Sequence, residues 1–287
     1  MGQLIRTRDG RNLAVEHHGN PRGRPVFLLH GTPGSRLGQA PSSKLLYLLG
    51  VHLITFDRPG YGDSDPLPGR LVADAAADVK TIADELGISE FAVVGRSGGA
   101  PHALACAARM PERAARTAAL VPIAPRDARG LDWFAGMTES NVRAYTNAAR
   151  GHRAVAEALT FRAVAIRADP RAMVRDLLPE LPKSDRRIVA GVEIQAMLEL
   201  NFAEAVRNSP SGWIDDVLAF STAWGFRPED INAPVLLWHG EDDVFAPVHH
   251  SRWLAERIPG ARLKVKPGAA HFEALKVLPS VLSWATW

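Results

Sequence analysis

The stretch Phe91-Ala92-Val93-Val94-Gly95-Arg96-Ser97-Gly98-Gly99-Ala100 decides how the rest of the chain is read. Phe91 to Val94 is a short apolar run of the kind that suits a strand buried on both faces. A helical run opens near Ala100 and continues through Pro101 to Met110. Between them Gly95-Arg96-Ser97-Gly98-Gly99 has the pattern G-x-S-x-G. In that context the pattern describes a sharp strand-to-helix turn whose small flanking residues leave the serine exposed at the end of a sheet. The turn also points Ser97 at a helix N-terminus, where free backbone N–H groups and the helix dipole favour a developing negative charge.

Working outward, the same alternation recurs. Val26-Phe27-Leu28-Leu29, Val51 to Phe56 and Ala118 to Val121 are further apolar runs bounded by turn residues, and Leu71, Ala75, Val79, Ile82 and Leu86 recur at helical spacing. Strand alternating with helix predicts a wound, mostly parallel α/β sheet. Before it, Gln3–Thr7 and Asn12–His18 flank Asp9-Gly10, a hairpin signal that predicts two antiparallel edge strands. From about Arg126 to Phe226 the chain reads as helices interrupted at Pro170, Pro179, Pro182 and Pro210, with no clear strand. Strands resume at Val235–Trp238 and Arg262–Val265, and an amphipathic closing helix is expected from Phe272 to Trp287. This order predicts one α/β core, residues 1–125 and 227–287, interrupted by a helical cap over 126–226.

Composition narrows the function classes. The 287 residues are 46% hydrophobic and 23% charged, which is globular usage. The net charge of +3 comes from interspersed acids and bases with no like-charge run, so nucleic acid is not an expected partner. No apolar run approaches the roughly 18 residues that span a bilayer, and Met1 to Arg6 lacks a leader's apolar stretch. The expected location is cytoplasmic, with a small-molecule substrate, no membrane partner and a homodimer allowed. Cys106 is the one cysteine, which excludes an internal disulfide and a cysteine-based zinc site. Its apolar neighbours predict a buried packing residue.

A serine nucleophile needs three supporting parts. His30-Gly31-Thr32-Pro33-Gly34 follows the strand Val26–Leu29, and its turn residues can bring a backbone N–H beside the serine, so the oxyanion hole is predicted from the N–H groups of Thr32 and Gly98. Of the ten histidines, His271 has the right place for the base, following Arg262–Val265 through Pro267-Gly268-Ala269-Ala270. His30, His102 and His239 read as structural, and His249 and His250 as the start of a surface helix. The orienting acid is expected after Val235–Trp238, in Glu241-Asp242-Asp243. Spacing from Gly240 and to Pro247 favours Asp243, with Asp242 next and Asp127 more distant. Ser97, Asp243 and His271 are therefore the expected catalytic residues, with no metal or cofactor required.

Taken together these elements resemble the α/β-hydrolase superfamily, in particular its capped esterase- and lipase-like members, from His30 to His271. Phe56-Asp57-Arg58-Pro59-Gly60-Tyr61-Gly62-Asp63-Ser64 is similar to that family's glycine-rich loop after the fourth strand, where the aspartate is structural. The resemblance implies an α/β-hydrolase fold, with a mostly parallel eight-stranded sheet flanked by helices and an inserted helical cap. It implies a cofactor-free, carboxylesterase-like serine hydrolase. Serine at the elbow excludes the alkyl-ester chemistry of relatives that carry aspartate there. Aromatic residues of the cap, chiefly Trp133, Phe134, Trp213 and Trp224, would wall an apolar substrate. The cap arginines, among them Arg143, Arg150, Arg153, Arg162, Arg167, Arg171 and Arg175, are roughly matched by acids and read as a solvated surface rather than an anion funnel. The competing activities are a proline iminopeptidase, with Glu193, Glu199 and Glu204 available for an amino terminus, and a thioesterase, lactonase, carbon–carbon bond hydrolase or perhydrolase. From another class comes a ligand-binding receptor without turnover.

Overall fold

The computed structural model of the chain describes residues 2–38 and 40–286. Its strands are β1 (Gln3–Arg6), β2 (Asn12–Gly19), β3 (Arg24–Leu29), β4 (Val51–Phe56), β5 (Phe91–Arg96), β6 (Ala114–Leu120), β7 (Val235–Gly240) and β8 (Arg262–Lys266). Helices α1 (Ser43–Leu48), α2 (Ala75–Glu85) and α3 (Gly99–Arg109) connect the early strands, and α10 (His249–Ala255) and α11 (Ala274–Ala285) follow β7 and β8. Between β6 and β7 come α4 (Glu139–Ala149), α5 (His152–Ala168), α6 (Arg171–Leu177), α7 (Lys183–Val189), α8 (Val192–Ala205) and α9 (Ser211–Phe220). The described residues of this insertion contain no strand. The closing helix is followed to Ala285; Trp287, where it was expected to end, lies outside the described residues.

The eight strands form one sheet in the order β1-β2-β4-β3-β5-β6-β7-β8. β2 pairs antiparallel with β1 and β4, and from β4 onward every pairing is parallel. Period-two alternation sorts the side chains. Phe27 and Leu29 of β3 join Val79, Ile82, Ala103 and Cys106 of α2 and α3 on one face. Val26 and Leu28 join Leu46 of α1 and Leu278, Val281 and Leu282 of α11 on the other. Every residue of β5 is buried, as a strand covered on both faces requires. Helix α2 stops at Leu86-Gly87, where Gly87 has φ +65° and its N–H donates to the Asp84 carbonyl.

Strand β6 begins four residues before the apolar run Ala118–Val121 that signals it. Its first turn of sequence, Ala114-Ala115-Arg116-Thr117, is not an apolar run, yet Ala114 pairs with Phe91 and Arg116 with Ala92. Tertiary pairing overrides the weak local pattern there. The insertion has its own core, where Val155, Leu159, Ile166, Phe202 and Trp213 close over Tyr61 and Phe272 of the sheet domain. Thr138 caps the first of its helices, its hydroxyl accepting from the Asn141 N–H, a contact worth about 1 kcal/mol. No described helix is long and apolar enough to cross a membrane.

Candidate active site

Ser97 lies at the C-terminal end of β5, the strand flanked by β3 and β6, with its backbone at φ +54°. That left-handed conformation costs a side-chain-bearing residue about 1–3 kcal/mol and persists only where the surroundings enforce it. Here two hydrogen bonds do so: the Ser97 N–H donates to the Leu120 carbonyl, and the Ala100 N–H donates to the Ser97 carbonyl, both at 2.8 Å. The flanking glycines let α3 press onto the sheet. A Cβ on Gly95 would stand 2.2 Å from the Gly99 oxygen, and one on Gly99 would stand 2.2 Å from the Leu29 oxygen. Only glycine fits these positions, which is the physical content of the motif.

The loop after β3 lies against the start of α3. A Cβ on Gly98 would fall 2.1 Å from Thr32 Oγ1 and 3.2 Å from the Thr32 nitrogen, so the two predicted oxyanion donors border one small space. Thr32 is tied from below, its hydroxyl donating to Asp216 Oδ2 at 2.5 Å. Asp216, on α9 of the insertion, also accepts from Arg58, from Tyr61 Oη at 2.8 Å and from Arg70 at 2.7 Å. Burial works against its charge, but the two guanidiniums and His102 overcome it and hold the carboxyl well below the ordinary range. Sequence reasoning did not single out Asp216. Its partners lie between 114 and 184 residues away along the chain, at separations no local pattern reports.

His271 Nδ1 lies 2.8 Å from Asp243 Oδ2. The second oxygen of Asp243 accepts from the Phe245 N–H at 2.8 Å and the Ala246 N–H at 3.0 Å. Burial opposes the charge of Asp243, yet His271 and His239 outweigh it and keep the carboxyl below its usual range. An ionised carboxylate accepts only, so Nδ1 of His271 is the donor in this hydrogen bond. Glu241, Asp242 and Asp127 are exposed, and the carboxylates that hydrogen-bond His271 are Asp243 and Asp185. The backbone of the His271 loop is held by a second carboxylate that the sequence did not reveal: Asp185 of α7 accepts from the N–H groups of His271 at 2.9 Å and Phe272 at 2.8 Å.

His30, His102, His239 and His250 are held by hydrogen bonds away from the serine. His30 is buried and its Nε2 accepts from the Arg58 N–H at 3.1 Å. Burial, with Arg58 beside it, depresses its pKa. His102 bridges the Val72 carbonyl and Asp216, and His239 lies against Ser251 Oγ at 2.6 Å. His250 departs from the expected surface helix. It is fully buried, and its ring bridges the Ala124 N–H and the Trp133 carbonyl.

Ser97, His271, Thr32 and Gly98 line one cavity of about 130 Å³, roofed by the insertion. Of the four aromatic residues expected on its wall, Trp213 lines it. Trp133, Phe134 and Trp224 do not, and that expectation is corrected. Trp133 donates its indole N–H to the Ala124 carbonyl at 2.9 Å and packs on Tyr145 and His250. Phe134 lies under the Arg126 guanidinium, and Trp224 is sunk beside Phe226 in an apolar core with Phe220 and Ile231. All four aromatic residues join an apolar core, and only Trp213, in the core of the insertion, also faces the cavity. The wall instead includes Leu159, Leu198, Phe202 and Phe245.

A serine on a strained strand-to-helix turn, a carboxylate-bound histidine after the last strand and an eight-stranded, mostly parallel sheet define a fold class. The chain belongs to the alpha/beta hydrolase fold family, whose model matches residues 24–275. It is similar to a proline iminopeptidase of Xylella fastidiosa (strain Temecula1 / ATCC 700964), 26% identical over 92% of this chain and 88% of that protein. It is likewise similar to a putative carbamate hydrolase RutD of Caulobacter sp. (strain K31), 27% identical over 90% of this chain and 88% of that one. A higher identity, 35%, to the proline iminopeptidase of Xylella fastidiosa (strain 9a5c) spans only 37% of this chain and 34% of that protein. Among solved structures, a bromoperoxidase from Bacillus anthracis superposes with TM-score 0.72 at 21% identity, covering 98% of this chain and 96% of that one. The enol-lactonase from Burkholderia xenovorans LB400 superposes with TM-score 0.70 at 21% identity, covering 98% and 97%. At these identities the superpositions attest the fold.

Proposed function

We propose that this protein is a serine hydrolase that cleaves a carboxylic ester of a small, largely apolar substrate through an acyl-enzyme on Ser97. One observation carries the reading: Ser97 in its strained turn shares a cavity with His271, whose Nδ1 is held 2.8 Å from a buried carboxylate. In the proposed cycle His271 Nε2 takes the Ser97 proton as Oγ attacks the ester carbonyl. The negative charge gathers on the carbonyl oxygen between the N–H groups of Thr32 and Gly98, a stabilisation worth about 2.7–4 kcal/mol per donor. His271 then gives its proton to the departing alcohol. Water, deprotonated by the same histidine, attacks the acyl-enzyme and releases the carboxylic acid and free Ser97.

The cavity supports a short substrate, since an apolar cavity of about 150 Å³ accommodates benzene. An aminopeptidase would need a carboxylate for the substrate's amino terminus. The three glutamates available lie elsewhere: Glu193 is exposed, Glu199 pairs with Arg171 and Glu204 with Arg36. No aspartate or glutamate is among the described residues lining the cavity. This favours the ester over the amino-terminal peptide. The test is release of 4-nitrophenol from 4-nitrophenyl acetate and butyrate. Sustained turnover that Ser97→Ala abolishes supports the proposal, whereas turnover unchanged by Ser97→Ala, or none by the folded wild type, rejects it.

A further inference from the structure

We propose that Arg96 is the anion-recognition residue of this site and that the natural substrate carries a carboxylate. This rests on the serine-hydrolase reading for the identity of the reacting bond, though not for the binding of the anion.

Arg96 fills the variable position immediately before Ser97. It is 6% exposed and lines the cavity. Its guanidinium makes no hydrogen bond or ion pair within the described residues, and its Nε is fully buried without a partner. Arg58 and Arg70 also leave Nε without a partner, so the contrast with the other buried arginines lies in the terminal nitrogens. Arg58 and Arg70 share Asp216, and Arg36 holds Asp57 and Glu204. The terminal nitrogens of Arg96, which line the cavity without a protein acceptor among the described residues, keep their donor capacity for a group that enters it. Burial draws the Arg96 pKa down to about 10, opposed by the fields of Asp185 and Asp243, so the group is a cation at neutral pH.

Its surroundings suit a planar anion. The Cζ lies 5.2 Å from the Phe272 ring centroid, and one terminal nitrogen is 3.8 Å from where a Cβ on Gly31 would stand. The fork therefore occupies the space between the oxyanion loop and the His271 loop, next to the reacting serine. A second cation faces the same cavity. Arg162 of α5 lies with Cζ 5.6 Å from the Trp213 ring centroid and has no ion pair among the described residues, unlike Arg143, Arg153, Arg171 and Arg175, which pair with Glu139, Glu157, Glu199 and Asp169. Among the described lining residues there are two guanidiniums without an ion pair and no carboxylate, the nearest acids, Asp185 and Asp243, lying behind the wall. The planar, bidentate acceptor that matches a guanidinium fork at this size is a carboxylate.

The carboxylate could belong to the acyl group or to the alcohol, and the two are separated by probes. Binding is measured by titration calorimetry to Ser97→Ala, which removes turnover. The acyl-side pair is monomethyl succinate against dimethyl succinate; the alcohol-side pair is acetoxyacetate against methyl acetoxyacetate. The expected result is that the anion of one pair binds at least about tenfold tighter than its neutral ester, the low end for a charge-assisted bidentate contact. The pair that shows the preference names the side. Adding Arg96→Gln should abolish the preference, and Arg96→Lys, which keeps the charge without the fork, should retain part of it and serves where the glutamine variant does not fold. Equal binding of anion and ester in both pairs, or a preference that survives both substitutions, overturns the proposal. Anion binding that depends on Arg96 in a wild type without esterase activity would instead overturn the reading of the reaction and leave the anion subsite standing.

Discussion

Asp216→Asn tests how the insertion holds the oxyanion loop. The wild-type carboxylate is fully buried and is the shared counter-charge of Arg58 and Arg70, which are 1% and 3% exposed on their side chains. An amide of the same shape keeps some hydrogen bonds but removes the negative charge from two buried cations. Breaking one buried pair in this way costs about 3–5 kcal/mol, and with two cations depending on one carboxylate the upper figure, about 5 kcal/mol, is expected. Against a typical total stability of about 5–15 kcal/mol, the variant should be marginal. Equilibrium urea unfolding followed by circular dichroism measures the loss. The neighbouring Asp215→Asn is the control: burial raises the pKa of Asp215, and its Oδ2 has no partner among the described residues, so neutralising it should cost far less. Because the Asp216 pKa is depressed, its contribution is present above the ordinary value of 3.8 and is lost only in stronger acid. A loss below about 1 kcal/mol, or equal losses in the two variants, would refute the account of Asp216 as a structural hub.

Further outcomes are expected at single positions. Gly98→Ala places a methyl 2.1 Å from Thr32 Oγ1, so it should push the two proposed oxyanion donors apart and lower kcat by about 10²–10³ while the chain still folds; unchanged kcat would count against that proposed role. Asp243→Asn should lower kcat about 10⁴-fold, as loss of the orienting carboxylate does in serine triads, with Asp242→Asn near wild type in the same ester assay. His250 is held neutral, its pKa pushed by burial from 6.5 down to about 3, because its Nδ1 accepts from the Ala124 N–H. The unfolded chain binds the extra proton first, so this stabilisation is whole above pH 6.5 and fades as pH falls toward 3. Urea midpoints should therefore show His250→Gln losing less stability than wild type between neutral pH and pH 4; parallel curves would contradict it.

How much of this could be read in advance depended on whether the signal was local. The elbow at Ser97 was legible because its glycines follow one another within a single strand-turn-helix stretch, although the contacts that force Gly98 and Gly99 come from Thr32 and Leu29 of the neighbouring strand and loop. Asp243 could be chosen over Asp242 by spacing alone, since the turn after β7 buries one carboxylate and exposes its neighbour. The early start of β6 was not legible, because Arg116 and Thr117 break the apolar run while their backbones still pair. Asp185 and Asp216 were invisible for a different reason. Each sits in an insertion helix whose docking on a distant loop is a tertiary event, and an acid on an amphipathic helix reads as solvated until its partner is known. The same limit misplaced Trp133, Phe134 and Trp224: aromatic composition reveals that a core exists, not which cavity a ring faces. Arg96 stood in plain view inside the motif, but its lack of a partner can be seen only when every neighbour is in place.

The central claim, that Ser97 is a nucleophile activated by His271, is tested most directly by labelling with a fluorophosphonate and reading the adduct mass on the peptide containing Ser97. The account predicts stoichiometric labelling of the wild type at Ser97, none in Ser97→Ala, and a steep loss of labelling rate in His271→Ala and Asp243→Asn with Asp242→Asn close to wild type. A folded wild type that stays unlabelled, or a label found on another residue, would contradict it.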